Sequence, residues 1–194
     1  MRRLAILLAA LLVACSTSEP PPRPYTLEDL EHLVLREGPE GTTRLTFEAK
    51  TIGDLARGSD ERRDRFASAG LQGAHESAFF PGIESEAPSG FMLTSIVYLF
   101  DDPARGLEVV EETVRAEGSE LRRTGPPVDG RDGFTLSGTL DENLPPGVLY
   151  AWVKRNVVIV LAAVASEEIE TGPLRLIARR LDAQEPPEGP DSRP

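Results

Sequence analysis

The amino-acid sequence predicts a single α+β domain with a mainly antiparallel sheet. Apolar segments of strand length follow one another through short turns, which is typical of hairpins. Segments with a helical spacing of apolar residues lie between these strands. The region that holds both kinds of segment, residues 25–184, is long enough for one domain with its own core. Hairpin-connected strands with helices packed on them are typical of the α+β class.

The first helix and the first strand are predicted near the start of this region. Thr26 and Asp29 stand in a capping relation in TLEDLEHLVLR, which predicts a short amphipathic helix. The apolar face of this helix is predicted from the spacing of Leu27, Leu30, Leu33 and Val34. After a turn at 38–41, the alternation in TTRLTFEA predicts a strand over 42–49.

A second helix and a second strand follow. In SDERRDRFASAGL, Ser59 is a favourable N-cap, acidic residues occupy the first turn, and Gly70 follows the last turn. The segment AHESAFF predicts a strand over 74–80. The acidic segment 81–90 contains Pro and Gly and predicts a loop.

The middle of the region predicts a buried strand and a long helix. FMLTSIVYLF, residues 91–100, is apolar on both faces, as a central strand is. In DDPARGLEVVEETVRAEG, Asp102 predicts an N-cap, Pro103 the first helical position, and Gly118 the end. The apolar stripe of this helix is predicted to consist of Leu107, Val110 and Val114.

The last part predicts three strands and a helix. The strands are predicted over 134–140, 148–154 and 157–165. Arg155 and Asn156 predict a tight turn between the last two strands, because Asn tolerates positive φ. A final helix is predicted from Thr171-Gly172-Pro173, and its core-facing residues are predicted to be Leu174, Ile177, Ala178 and Leu181.

Residues 1–14 predict a signal peptide. Arg2 and Arg3 form a positive start, and an unbroken apolar run follows over 4–14. This run is shorter than the about 20 residues that a membrane-spanning helix needs. The prediction therefore places the folded region on the extracytoplasmic side of a membrane.

The only cysteine of the chain, Cys15, follows this apolar run directly. The segment Leu12-Val13-Ala14-Cys15 resembles the lipobox of bacterial lipoproteins. The resemblance implies cleavage before Cys15 and attachment of a diacylglycerol to its thiol, and two or more acyl chains anchor a protein lastingly. An ordinary secreted protein with a cysteine at the cleavage site is the alternative. Serine follows Cys15, which favours the outer membrane, but the choice between cell membrane and outer membrane stays open.

The two ends of the mature chain predict extended structure. Residues 15–24 contain four prolines and no hydrophobic period, which predicts a Pro-rich tether between the lipidated cysteine and the domain. Residues 185–194 are equally poor in apolar side chains and predict a disordered tail.

The charge of the chain bears on its partners. The net charge is −11, and removal of residues 1–14 makes it −13 because two arginines leave with no acid. Nucleic acid would be repelled by such a protein and is excluded as a partner. With its only thiol lipidated, the mature chain would have neither a disulfide nor a cysteine-based metal site.

Aromatic side chains on two predicted strands are the candidate ligand-facing residues. Tyr150 and Trp152 share a face of one strand, and Tyr98 and Phe100 share a face of another. An antiparallel sheet with one uncovered face would display them as a strip that suits an apolar or peptide ligand. Packing in the core is the alternative interpretation, and it is the commoner role of such residues.

The sequence predicts neither a catalytic set nor a cofactor. His32 is predicted on the polar side of the first helix, and His75 and Glu76 are predicted on opposite faces of a strand. Asp102 next to Pro103 is explained by helix capping. No nucleophile elbow, phosphate-binding loop or dinucleotide fingerprint is present in the sequence.

Calcium is a further hypothesis that the sequence raises and does not favour. The DGRDG loop and the nearby Asp141, Glu142 and Asn143 are rich in hard oxygen ligands. Their spacing differs from that of an EF-hand, and Asp-Gly pairs form turns without any ion. We therefore predict no metal site.

The pattern from Phe91 onward resembles a group of small bacterial lipoproteins and secreted domains. The residues that carry this resemblance are the aliphatic strand that ends in FDDP, the loop VDGRDGF and the hairpin VKRNVVIVL. The families that it resembles are the LpqN-type lipoproteins and the PsbP-like fold. Since these are packing and turn motifs, the resemblance implies an extracytoplasmic fold, and no catalytic residue follows from it.

Three functional hypotheses follow from the sequence. The first is a non-enzymatic, membrane-anchored domain that binds an envelope protein or another partner. The second is a carrier or sensor for a small apolar ligand, which would use the aromatic strip. The third is a hydrolase with His75 as its base, and it is the least favoured because no nucleophile accompanies that histidine.

Overall fold

A seven-stranded antiparallel sheet forms the centre of the molecule in the computed structural model, which describes residues 22–82, 91–141, 143–166 and 168–187. The strands are β1 (Thr42–Lys50), β2 (Leu71–Pro81), β3 (Met92–Phe100), β4 (Ser119–Thr124), β5 (Gly133–Thr139), β6 (Gly147–Lys154) and β7 (Val157–Val164). Their order across the sheet is β1-β2-β3-β7-β6-β5-β4, and every neighbouring pair is antiparallel. The predicted α+β class with an antiparallel sheet is confirmed.

In the described part of the chain, five α-helices pack on the sheet. They are α1 (Leu30–Leu33), α2 (Ile52–Ala56), α3 (Asp60–Ser68), α4 (Pro103–Glu117) and α5 (Thr171–Ala183), and a 3₁₀ turn over Leu27–Asp29 precedes α1. None of the helices in the described part of the chain is long and apolar enough to cross a membrane.

The sheet separates two hydrophobic cores. On one face, which we call the closed face, α1 and α5 pack on residues that include Leu93, Val97 and Ile159. On the other, which we call the cleft face, α3 and α4 pack on residues that include Phe100 and Val158. Among the described residues, the buried members of both cores all lie between Tyr25 and Leu181, and we call residues 25–184 the head.

Capping side chains begin the helices where the sequence predicts them. Asp102 accepts hydrogen bonds from the backbone N–H groups of Ala104 and Arg105 at the start of α4 (3.1 and 3.0 Å). Ser59 caps α3 in the same manner, accepting from the N–H of Arg62 (3.2 Å). In the first segment, the Asp29 carboxylate accepts from the backbone N–H of Thr26 (2.8 Å).

Several predicted details are wrong. Leu27, predicted on the apolar face of the short first helix, is 52 % exposed instead of buried. Two elements are missing from the prediction, the short helix α2 and the mostly exposed edge strand β4. In the turn between β6 and β7, the residue with positive φ is Arg155 (φ 55°) and not Asn156.

Asn156 instead holds the beginning of the head in place. Its side chain accepts from the backbone N–H of Tyr25 (2.7 Å) and donates to the Tyr25 carbonyl (2.9 Å). The Tyr25 hydroxyl donates to Glu185 (2.9 Å), the first residue of the predicted tail. The two ends of the head therefore meet at the β6–β7 turn. The predicted signal peptide, Cys15, tether residues 15–21, loop residues 83–90 and tail residues 188–194 lie outside the described residues.

Candidate functional site

The three predicted ligand-facing aromatic residues do not share a face. Tyr150 and Trp152 lie on the closed face beneath α5 and are 1 % and 0 % exposed. The Trp152 indole N–H donates to Asp182 of α5 (3.1 Å), and the Tyr150 hydroxyl donates to the carbonyl of Thr171 (3.3 Å). For these two residues, the prediction of an uncovered face is wrong, since α5 covers it and their polar groups are bonded within the core.

Tyr98 lies on the opposite face of the sheet, where a cleft remains between the sheet and the helices. The volume of this cleft is about 470 Å³, within the range of small-molecule sites. Its floor is formed by side chains of the central strands that point to the cleft face, among them Ala78, Met92, Thr94, Ile96, Val160 and Ala162. The floor is therefore mostly apolar, with the Thr94 hydroxyl as a polar group within it.

The walls of the cleft come from α2, α3, α4 and the β5–β6 loop. The apolar wall residues are Leu55, Phe66, Val110, Val114, Leu140 and Leu144. At one end, the Tyr98 ring stacks on Phe66 (centroids 5.8 Å apart) and on Phe100 (5.9 Å), which is itself buried. We call this the closed end of the cleft.

The opposite end of the cleft, which we call its mouth, exposes apolar side chains to solvent. Leu45, Phe80 and Leu144 are 71, 37 and 37 % exposed, and all three line the cleft. Leu45 lies at the bulge of β1, where the register with β2 shifts between Arg44 and Thr46. An apolar surface that continues from an exposed rim into a concave floor is typical of a binding site.

Charged side chains along the β1 side of the cleft are paired with one another. The Lys50 ammonium contacts Glu48 and lies 3.2 Å from the carboxylate of Glu76. The hydrogen bond to Glu48 raises the pKa of Lys50, and that to Glu76 adds to the shift. Lys50 therefore stays charged on the rim of the cleft, with two carboxylates as its partners.

A second set of paired charges lies where α3 and α4 approach the β5–β6 loop. Arg62 of α3 contacts Glu117 at the end of α4, and a guanidinium nitrogen of Arg57 lies 4.0 Å from Asp141. Burial lowers the pKa of Arg62, and the positive charge of Arg57 lowers it further. These contacts close the cleft on this side with opposite charges that balance each other.

Tyr98 presents a neutral hydroxyl to the cleft. Burial raises the pKa of Tyr98, and the carboxylate of Glu76 raises it further, so the phenol keeps its proton. No described residue hydrogen-bonds this hydroxyl, whereas those of Tyr25 and Tyr150 are both engaged. Of the three predicted aromatic residues, only Tyr98 lines the cleft. The prediction that it shares an uncovered face with Tyr150 and Trp152 is wrong.

The histidines lie away from the cleft. His75 points to the closed face, 4.6 Å from the ring of Phe47, while Glu76 on the next position lines the cleft. The prediction that these two side chains lie on opposite faces is confirmed. His32 is about a quarter exposed and contacts Arg36 (3.1 Å), a neighbour on its own segment.

The candidate calcium ligands do not converge among the described residues. Asp129 is 96 % exposed beside Arg179, whereas Asp141 accepts from the backbone N–H of Asn143 (2.8 Å). Within the described ranges, no group of three or more His, Cys, Asp or Glu side chains is placed to hold a metal ion. Glu142 lies outside the described residues.

Sequence reasoning missed most of the cleft. Its walls depend on α2, which was not predicted, and on the bulge that exposes Leu45. The sequence carries no signal of this exposure, because Leu45 continues the alternation of apolar residues with Phe47 and Ala49, and only the bulge turns it to the cleft. Periodicity alone cannot show that such a residue lies on the rim of a cleft.

Comparison with known proteins extends the description of the fold. No protein-family model matches the sequence, and no curated protein matches it either. The structure is similar to that of the extracellular domain of PknH from Mycobacterium tuberculosis, with a TM-score of 0.51 and 13 % sequence identity. The match covers 82 % of this chain and 96 % of that domain, and it shows a shared fold.

Proposed function

We propose that this chain is an extracytoplasmic, lipid-anchored binding domain that holds a small apolar ligand in the cleft. The observation that carries the proposal is the cleft itself, about 470 Å³ in volume, with an apolar floor. Its mouth exposes Leu45, Phe80 and Leu144 to solvent, and an exposed apolar patch beside a cleft is typical of a site for a ligand or partner. Carrier or sensor activity is the form of binding that such a cleft favours.

The proposed location rests on the N-terminal sequence. A signal peptide over 1–14 and a lipobox ending at Cys15 support export and lipid anchoring, to the cell membrane or the outer membrane. The shared fold with an extracellular domain agrees with this location. The resemblance to LpqN-type and PsbP-like extracytoplasmic domains belongs to the same proposal.

The position of the tether would turn the mouth of the cleft away from the membrane. Tyr25, where the head begins, is held at the β6–β7 turn, and strand β7 runs from there at Val157 to Val164 at the mouth. The length of that strand separates the two by about 23 Å. A ligand could therefore enter the cleft while the anchor stays in the bilayer.

A binding role without catalysis is part of the proposal. In the described residues, the polar side chains of the cleft are charges that face an opposite charge, hydroxyls, or the Asp54 carboxylate that caps α2, and His75 points to the other face. A nucleophile, a base and an orienting group are not brought together there. This arrangement supports the two binding hypotheses over the hydrolase.

Native mass spectrometry of the chain purified from cell envelopes tests ligand binding. We expect an additional bound mass, and we expect Ala162→Phe to abolish it by filling the centre of the floor. Ala183→Phe places the same ring at an exposed position on α5 and should leave the bound mass unchanged. A bare chain that also fails to bind an uncharged fluorescent probe such as N-phenylnaphthylamine would overturn the proposal.

Metabolic labelling with a clickable fatty acid tests the anchor. The wild-type chain should be labelled and should sediment with membranes, whereas a Cys15→Ser chain should be unlabelled. Unlabelled wild type beside labelled control lipoproteins would exclude lipidation without bearing on the cleft.

A further inference from the structure

We propose that the cleft selects uncharged apolar molecules that carry a hydrogen-bond acceptor, which the Tyr98 hydroxyl binds at the closed end. This inference rests on the proposed binding function and adds the chemical class of the ligand. It follows from the partners that already engage the charged groups in the described part of the cleft and from the position of the Tyr98 hydroxyl, which hydrogen-bonds no described residue.

The two cations held within the described part of the cleft, Lys50 and Arg62, already contact carboxylates, and Arg57 is a largely exposed cation on its edge. The cations that line it are Lys50, Arg57 and Arg62. Each already faces a carboxylate, since Lys50 lies against Glu76, Arg62 against Glu117 and Arg57 near Asp141. A carboxylate or phosphate on the ligand would have to displace one of these partners and lose its own hydration, which is unfavourable.

A cationic ligand would meet carboxylates that are also engaged. Besides the three that face cations, Asp54 lines the cleft and accepts from the backbone N–H and the hydroxyl of Thr51 (2.8 and 2.7 Å) at the start of α2. Asp141 further accepts from the backbone N–H of Asn143. Among the described residues, the charged groups that line the cleft are thus engaged by protein partners, except for Arg57, which is largely exposed and 4.0 Å from Asp141.

The closed end of the cleft provides one polar contact. The Tyr98 ring packs against both Phe66 and Phe100, whose centroids lie 6.5 Å from each other, so the three rings hold one another in place at the closed end. The Tyr98 hydroxyl lines the cleft and donates to no described residue. Since no described residue accepts its hydrogen bond, a carbonyl, ether or hydroxyl oxygen of the ligand would do so and fix the orientation of the ligand.

Displacement of N-phenylnaphthylamine by ligands of one chain length tests this selectivity. The protein is the mature chain from residue 15 with Cys15→Ser, which avoids lipid and detergent and retains every described core residue. We expect decanol and methyl decanoate to displace the probe at concentrations at least tenfold lower than decanoate or decylamine, because the charged head groups would be desolvated without a partner. Equal or stronger displacement by decanoate or decylamine would overturn the proposed class.

The role of Tyr98 is tested by removing its hydroxyl. Tyr98→Phe should weaken displacement by methyl decanoate about three- to tenfold, the value of one hydrogen bond. It should leave binding of the probe unchanged, because the diarylamine nitrogen of the probe is a poor hydrogen-bond acceptor. Tyr150→Phe removes the corresponding hydroxyl on the closed face and should change neither. An equal effect of the two variants, or none from Tyr98→Phe, would overturn the assignment of Tyr98.

The two levels of the proposal fail in different ways. If the probe does not bind at all, the proposed binding function fails together with this inference. If the probe binds and is displaced best by a charged ligand, the binding function stands and only the ligand class is wrong.

Discussion

The indole N–H of Trp152 donates to the carboxylate of Asp182 across 3.1 Å, and this bond joins the centre of the sheet to helix α5. The guanidinium of Arg131 binds the same carboxylate with Nε (3.0 Å) and Nη2 (3.0 Å). Asp182 thus satisfies a fully buried donor on the closed face and ties the β4–β5 connection to the same helix. This arrangement explains how a tryptophan can be completely buried without an unsatisfied N–H.

We predict that Asp182→Ala destabilises the protein by about 1–3 kcal/mol, because the buried indole N–H loses its acceptor. The measurement is the free energy of unfolding in urea. Asp129→Ala is the matched control, since Asp129 is almost fully exposed beside Arg179 and its loss should cost less than about 0.5 kcal/mol. Equal losses for the two variants would show that the contact to Trp152 contributes nothing.

Most of the sheet could be predicted from local pattern. Strands β3, β6 and β7 are long apolar runs between clear turn signals, and their observed bounds lie within one residue of the predicted ones. Helix α2 and strand β4 could not be predicted in this way. The helix is too short to show a period, and SELRRT in β4 is too polar to read as a buried strand.

The sequence could not show whether aromatic residues on different strands lie on the same face of the sheet. Periodicity shows that Tyr150 and Trp152 share a face of β6, but the register of non-neighbouring segments decides how that face relates to β3. In the structure, Tyr98 pairs with Val158 and Trp152 pairs with Ile159. Since Val158 and Ile159 are consecutive on β7, they point to opposite faces, and so do Tyr98 and Trp152. The cleft and the buried core were therefore indistinguishable from the sequence.

We predict that Gly106→Ala destabilises the protein by about 1–3 kcal/mol, although alanine favours helices over glycine. A Cβ atom at Gly106 of α4 would lie 2.3 Å from the ring of Phe100. Phe100 supports Tyr98 at the closed end, so the variant should also weaken binding of an apolar probe.

Gly172→Ala is the control for this prediction. Gly172 is also helical, in the first turn of α5, and a Cβ atom there would meet nothing within 4 Å. The free energy of unfolding should stay unchanged or rise by up to about 1 kcal/mol. Thermal unfolding of both variants is the measurement, and a stabilised Gly106→Ala protein would contradict the close packing on Phe100.

We predict that part of the stability is lost as the pH falls below about 6.5, the ordinary pKa of histidine. His75 is 8 % exposed and its Nδ1 has no hydrogen-bond partner among the described residues. Burial lowers the pKa of His75 in the folded protein. Below pH 6.5 the unfolded chain therefore binds more protons than the folded one, and unfolding becomes more favourable.

His75→Phe should remove this contribution to the pH dependence, and urea unfolding between pH 7.5 and about 5 measures it. His32→Gln, which changes the other histidine, should retain the wild-type difference between the two pH values. A wild-type loss of stability that persists in His75→Phe would assign the effect to other groups.

Our last prediction concerns the attachment of the first segment to the head. Asn156→Ala removes both side-chain hydrogen bonds to the backbone of Tyr25, at the point where the proposed tether begins. Local opening of residues 25–33 should then become easier, and hydrogen exchange of their amides should accelerate about tenfold, which corresponds to about 1.4 kcal/mol. The other contacts of Tyr25, to Glu185 and beneath the guanidinium of Arg155, should keep the segment folded most of the time.

Asn143→Ala is the control, because it removes a side-chain hydrogen bond in the β5–β6 loop, at the other end of the sheet. It should leave exchange over 25–33 at the wild-type rate. Because α1 follows Tyr25 directly and packs on the closed face, unchanged exchange in Asn156→Ala would show that the burial of Leu30 and Leu33 alone holds this segment on the sheet.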